Sequence, residues 1–274
     1  MRPVIEKELL HHELLFAMDQ AGHLEQLTFQ GGTALRLCYG AQRFSEDLDF
    51  VAAREFPAER MRGIKEAIIG QVDDRYGLKV EVKEPKGLAP ETADRRVVVH
   101  RWQFSIITAP QRRDLPRQMI KIEVARVPAY TRVPRSLQTH YDFLPDGYRD
   151  LIVLVESLDE ILADKLVSLP ACTAYVRHRD IWDLHWLRQQ RALPDIELVA
   201  RKVRDYGVAR YGALAADLAE RLPGIVHGKE FRDQMTRFIP LDVQERTLLK
   251  SGFLDMLGRE TADTFLEVSR AIDA

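Results

Sequence analysis

Apolar residues recur along the chain with two different periods, and the change of period divides it. Over residues 4–25, Leu9, Leu10, Leu14, Leu15, Met18 and Leu24 fall at helical spacing and predict an amphipathic helix or helix pair. His11 and His12 lie within it. Neighbours on a helix point to different faces, so they read as surface histidines rather than a metal pair. Leu27-Thr28-Phe29 is a short β-prone run that stops at Gly31-Gly32, after which Ala34, Leu35, Leu37 and Cys38 predict a helix closed by Gly40. Leu48, Phe50 and Val51 alternate with acids, as on a strand. Pro57 to Ile69 reads as a helix; Leu78 to Lys83, Val97 to Thr108 and Met119 to Val127 read as strands, and residues 84–94 as a loop. Leu151 to Val155 is a last strand. Beyond Ser157 the pattern is helical, broken near Pro194, Gly207, Pro223-Gly224 and Pro240. This order predicts an α+β fold: a mixed sheet backed by helices on one face in residues 1–150, then an α-helical domain over residues 151–274.

Composition narrows the class only slightly. The 274 residues are 46% hydrophobic, ordinary for a globular chain with a buried core, and a formal net charge of −2 excludes a protein whose whole surface coats nucleic acid. Cys38 and Cys172 stand far apart with no C-x-x-C, and Met1-Arg2-Pro3 runs into charged Glu6, Lys7 and Glu8 without a secretory leader. No apolar run approaches the ~20 residues of a membrane helix. The expectation is a cytoplasmic protein with no membrane partner.

Candidate chemistry gathers between Phe29 and Phe50. A strand, a glycine turn and a helix let backbone approach a bulky anion: Gly31 and Gly32 remove side chains, Thr33 is a candidate N-cap, and the first-turn amides point at the ligand. A polyphosphate fits. Arg43 and Ser45 then precede Asp47 and Asp49, which spacing two places on one face of a strand. Two neighbouring carboxylates repel unless a cation lies between them, and a hard divalent ion with oxygen ligands is the usual one. Downstream, Glu123 shares a strand face with Lys121 and Ala125, where it could be a third carboxylate or one half of a surface pair with Lys121 or Arg126. Ser157-Leu158-Asp159-Glu160 is a capping box, and the stripe Leu158, Leu162, Leu169 behind it is interrupted by Lys165, whose inward ammonium needs an anion. Asp180 and Asp183 interrupt a second inward stripe, with Lys165 and Arg179 as candidate partners, while Trp182 and Trp186 read as packing.

Residues 95–135 hold ten Lys/Arg against Asp114 and Glu123. With Trp102, Phe104 and Tyr130 interleaved, that segment could either track an RNA backbone or solvate an outer sheet face.

GGTALRL, its spacing to RFSEDLDF, and R-D-x-x-D-L at Arg179 to Leu184 together resemble the AbiEii/MenT family, toxins of type IV toxin–antitoxin systems within the DNA polymerase β-like nucleotidyltransferase superfamily. The resemblance implies a nucleotidyltransferase-type mixed sheet with a helical C-terminal domain that completes the active site. It implies an enzyme that transfers NMP from an NTP to an RNA acceptor, the tRNA 3′ end, using Mg²⁺ or Mn²⁺. It assigns Asp47, Asp49 and Glu123 to metal, Lys165 and Asp180 to catalysis with them, and Gly31, Gly32, Thr33, Arg36, Arg43, Ser45, Lys165, Arg179 and Asp183 to nucleotide. A cognate antitoxin from a neighbouring gene is implied as partner. Many superfamily members carry Asp where Glu123 stands. A protein or small-molecule hydroxyl as acceptor, and a non-catalytic binding protein on the same fold, are the alternatives.

Overall fold

A computed structural model describes residues 2–85, 97–109, 111, 117–142, 144 and 147–273. The chain forms two compact units, residues 1–156 and 157–274.

In the first unit, α1 (Arg2–Gln20) leads to β1 (Thr28–Gln30), α2 (Gly31–Tyr39) and β2 (Leu48–Val51). The helix expected over Pro57 to Ile69 begins later. A 3₁₀ turn at Ala58–Met61 ends before Gly63, whose φ of 90° resets the chain, and α3 then runs Ile64–Tyr76. β3 (Val80–Lys83), β4 (Val99–Ile106) and β5 (Gln118–Ala125) match the alternating runs. β6 (Val133–Ser136) was not evident in the sequence; it contains Pro134, which an edge strand tolerates because no ladder donor is needed outward. β7 (Ile152–Val155) joins this unit's sheet by pairing parallel with β1.

Among the described residues the sheet has seven strands in the order β3-β4-β5-β2-β1-β7-β6. It is mixed: β1 runs antiparallel to β2, β2 parallel to β5, and β5 antiparallel to β4. One face carries the core. Leu14, Met18, Phe29, Phe50, Phe104, Ile122 and Val124 are fully or almost fully buried there, and Phe29 stacks on Phe50 at 5.0 Å between centroids. Each such side chain contributes about 1.5–3 kcal/mol by leaving water. On β4 the burial alternates, so His100, Trp102, Phe104 and Ile106 turn to the core while Val99 and Arg101 face out.

α1 is more deeply sunk than its leucines suggest. His11 and His12 are buried, not surface residues: His11 Nε2 lies 3.0 Å from the Glu46 carbonyl, and His12 Nδ1 lies 2.9 Å from that of Glu8. Glu8 and Glu13 are buried beside them, Glu8 paired with Arg36 and Glu13 accepting from Tyr148, Gln71 and Tyr76. Buried polar groups persist when every one finds such a partner.

The second unit is helical: α4 (Leu158–Ala171), α5 (His178–Gln189), α6 (Ile196–Tyr206), α7 (Tyr211–His227), α8 (Lys229–Phe238), α9 (Leu241–Arg246) and α10 (Phe253–Asp273). Ser157 caps α4 by accepting the Glu160 amide at 3.2 Å. Tyr211 is buried, with its hydroxyl donating to the Leu166 carbonyl. No described helix is long and apolar enough to cross a membrane.

Candidate active site

The open face of the first unit's sheet is built from two rows of side chains. β2 and β5 run parallel in a register that sets Leu48 against Ile122 and Asp49 against Glu123, and β4 sets Arg101 against Glu123 from the other side. One row therefore reads Arg101, Glu123, Asp49. The row beside it reads Gln103, Lys121, Asp47. Glu123 is thus a neighbour of Asp49, as a third carboxylate must be, and its cation is Arg101, whose Nε donates to Oε1 at 2.6 Å, in place of the Lys121 or Arg126 pairing considered above. Asp47 is held by Lys121 twice, from its amide to Oδ1 at 3.0 Å and from Nζ to Oδ2 at 3.5 Å.

The glycine turn closes on the same carboxylates. Gly31 has φ of 77°, and a Cβ on it would sit 3.0 Å from Asp49 Oδ2. Gly32 is packed as tightly: a Cβ there would lie 2.4 Å from Arg43 Nη2 and 3.0 Å from Ser45 Oγ. The turn thereby brings together Gly31, Gly32, Arg43, Ser45, Asp47 and Asp49. Thr33 is not the N-cap, because α2 starts at Gly31 with Gln30 in the capping position; its hydroxyl instead donates to the Asp47 carbonyl and ties helix to strand. Arg36 turns away from the glycines. Its guanidinium makes two bonds to Glu8, at 2.8 and 3.1 Å, bonds the Ala41 and Gln42 carbonyls, and lies over the Phe44 ring at 4.6 Å, which is a packing role. Behind the turn, burial pushes His11 down to about 4, against the Glu46 carbonyl bond and the Glu8 charge, which pull it up. It is therefore neutral at pH 7, and since a carbonyl can only accept, Nε2 carries the proton.

Asp49 and Glu123 on neighbouring strands, Asp47 just before β2 and the glycine turn against Asp49 offer the hard oxygen donors that suit a divalent cation with a phosphate beside it. The three are not among the described acids whose ligand atoms lie within 4.8 Å of one another, so their side chains would have to turn inward to share one ion. Asp47, Asp49 and Glu123 could hold the ion.

The second unit contains its own buried ionic cluster. Lys165 Nζ lies 2.6 Å from Asp180 Oδ1 and 2.9 Å from Asp183 Oδ2, all three side chains being buried. The inward lysine of α4 thus meets the two inward acids of α5. The guanidinium on Asp180 is that of Arg177, at 2.6 Å, and not that of Arg179, which stacks over Phe238 at 4.8 Å. Burial alone would raise the Asp180 carboxyl, but Lys165 and Arg177 outweigh it and hold the group below the usual carboxylate range. A second cluster escaped the sequence entirely: Lys202 of α6, fully buried, pairs with Glu160 at 2.7 Å and Asp164 at 3.0 Å. Its sequence signal is the i,i+4 acid pair Glu160 and Asp164 on α4.

Of the basic segment, Arg95, Arg96, Arg112 and Arg113 lie outside the described residues. Arg117 pairs with Glu81, Arg126 bonds the Arg54 carbonyl, Arg132 bonds Thr28 and the Glu25 carbonyl, and Arg135 lies over Tyr39. Trp102 and Phe104 are buried in the core and offer no stacking surface, whereas Tyr130 is exposed. Trp182 packs on Phe253 at 5.9 Å, as expected of a core residue.

Residues 13–268 match the family model described as the nucleotidyl transferase AbiEii toxin of a type IV toxin–antitoxin system. Among solved structures, MenT4, a nucleotidyltransferase toxin from Mycobacterium tuberculosis, is similar over 99% of this chain and 92% of its own, at 18% identity and a TM-score of 0.59. JHP933 from Helicobacter pylori covers 99% of this chain and 92% of its own, at 19% identity and a TM-score of 0.47. No curated protein matches the chain.

Proposed function

The chain belongs to the AbiEii nucleotidyltransferase toxin family, and on that premise we propose that it transfers a nucleoside monophosphate from an NTP to the 3′ end of tRNA in the cytoplasm. Such an addition would block aminoacylation and arrest growth until a cognate antitoxin intervenes. The observation that carries the reading is the placement of Asp49 against Glu123 and Gly31 on one open sheet face, with Asp47 beside them.

In the reaction, the acceptor hydroxyl oxygen bonds to the α-phosphorus, the bond from that phosphorus to the β-phosphate bridging oxygen breaks, and pyrophosphate leaves. Asp47, Asp49 and Glu123 would hold Mg²⁺ or Mn²⁺, which when bound supplies Lewis-acid stabilisation of the transferring phosphoryl group. The glycines let Asp49, Arg43 and Ser45 close on the Gly31-Gly32 backbone, and the amides of the first turn of α2 would favour the charge of a triphosphate beside them. Arg43 and Ser45, packed against Gly32, fix that turn. Glu123, with one oxygen engaged by Arg101, would use its other oxygen either to hold the metal or to take the acceptor's proton. By family resemblance Lys165, Arg179, Asp180 and Asp183 would take part in nucleotide handling, although the Lys165 ammonium is engaged by Asp180 and Asp183.

The test is incubation of the purified protein with each labelled NTP, Mg²⁺ and total RNA. Label at tRNA 3′ ends is expected. Label on protein or a small molecule would move the acceptor, and no transfer with any NTP would remove the reading.

A further inference from the structure

The two rows on the open face place four charges at the corners of a rectangle. Asp49 stands in β2 with Asp47 just before that strand, and Lys121 and Glu123 stand along β5, with Glu123 the register partner of Asp49 and Lys121 bonded to Asp47. Along β5 the two corners are about 6.6 Å apart, and Asp49 and Glu123 stand about 4.8 Å apart across the strands. Three corners are carboxylates and the fourth is an ammonium.

The two bonds from Lys121 to Asp47 differ in kind. The amide bond at 3.0 Å runs from the Lys121 backbone to the Asp47 carboxylate and survives any change of the side chain at 121. The ammonium contact at 3.5 Å is long and joins two partly exposed groups, with side-chain exposures of 42% and 26%, so it can break at little cost. With Arg101 on Glu123 and Lys121 on Asp47, the three carboxylates face two cations and keep a charge of minus one, which one divalent cation more than balances. A nucleotide brings further negative charge, and an ammonium released from Asp47 then has a better partner in a phosphate oxygen.

We propose that Lys121 is a positioning residue that exchanges partners: its ammonium holds Asp47 before nucleotide binds, limits the carboxylates to a single resident divalent cation, and turns to the polyphosphate when nucleotide arrives. This rests on the nucleotidyl-transfer reading. It separates Lys121 from an ordinary surface pair, since removing its charge acts with opposite sign on two ligands. The carboxylates lose a competitor and hold metal more tightly. The polyphosphate loses a cation and binds more weakly.

The test needs no turnover. Mn²⁺ binding is measured by electron paramagnetic resonance at low salt without nucleotide, and tripolyphosphate binding by calorimetry at saturating Mn²⁺, for wild type, Lys121→Met, Lys121→Arg and Asp49→Ala. Lys121→Met is expected to bind Mn²⁺ roughly two- to fivefold more tightly and tripolyphosphate more weakly by a similar factor. Lys121→Arg should stay near wild type on both. Should Lys121→Met fold poorly, Lys121→Gln takes its place, because the amide bond to Asp47 is kept in either. Unchanged Mn²⁺ affinity, or both ligands weakened together, overturns the exchange while leaving the reaction in place. Mn²⁺ binding that is absent in wild type, or equal in wild type and Asp49→Ala, overturns the exchange and the metal-dependent reading with it.

Discussion

Asp49 of β2 and Glu123 of β5 are register partners on neighbouring parallel strands, 74 residues apart in the chain. Their adjacency turns a D-x-D pair into a three-carboxylate face. Asp49→Ala is expected to abolish nucleotidyl transfer and growth arrest while cooperative unfolding persists, because it relieves repulsion among like charges. A folded Asp49→Ala protein that remains fully toxic would exclude catalysis at this face.

Gly31 is required twice over, by its positive φ and by the Asp49 oxygen that its Cβ would approach to 3.0 Å. Gly31→Ala should cost about 1–2 kcal/mol for the left-handed backbone, well within the stability of a domain. Activity should suffer more than stability, since the new methyl pushes the carboxylate out of place. Urea unfolding and transfer assays on the same preparation separate the two; a variant that loses stability but keeps full activity would dissociate Gly31 from the site.

Lys165 neutralises two buried carboxylates, so removing it alone is a folding experiment before it is a binding one. Lys165→Met should cost about 3–5 kcal/mol, as expected when a buried charge loses its partner. Adding Asp180→Asn and Asp183→Asn should recover most of that loss. The triple variant then isolates nucleotide handling: wild-type stability without transfer would place the cluster in the reaction, and wild-type stability with full transfer would make it structural. Equal stability of Lys165→Met and wild type would contradict the geometry.

What the sequence disclosed, and what it withheld, follows from distance along the chain. Gly31, Gly32, Asp47 and Asp49 fall within one short stretch, and their spacing on a turn and a strand fixes their placement locally. Glu123 was legible through period-two alternation, but its partner Arg101 depended on the β4–β5 register, which the intervening residues do not encode. The buried histidines failed for the same reason. Helical spacing counted the leucines of α1 and could not see that Glu46, Arg36 and Tyr148, brought in from elsewhere, would satisfy the polar residues between them. Arg177 rather than Arg179 at Asp180 is a smaller case, decided by the i,i+3 geometry at the start of α5.

Acceptor identity has an electrostatic signature. If residues 95–135 track tRNA phosphates, binding weakens with salt along a log–log slope set by the contacts, and Arg112, Arg113 and Arg117 to Gln should lower that slope by up to about 2–3. Metal binding at Asp47 and Asp49 should stay the same. Measuring tRNA binding across a salt series checks this; an unchanged slope removes these arginines from the RNA contact.

His11 ties stability to pH from beneath the carboxylate face. Burial lowers its pKa to about 4 in the folded protein from the ordinary histidine value of 6.5, so the unfolded chain takes up the proton first as pH falls. Above pH 6.5 both states are neutral there and the contribution is whole. Between 6.5 and 4 the unfolded state binds more protons, and stability drops by at most about 3 kcal/mol from this group; below 4 both states are protonated and the loss stops growing. Carboxylates titrate in the same range, so the informative quantity is the difference between wild type and His11→Gln, which retains a donor for the Glu46 carbonyl but cannot ionise. Unfolding free energies taken from pH 7 to pH 4 should converge as pH falls, wild type losing its excess. A difference that stays constant across that range would mean that His11 does not remain neutral in the fold, and the tautomer assigned to it would have to be abandoned.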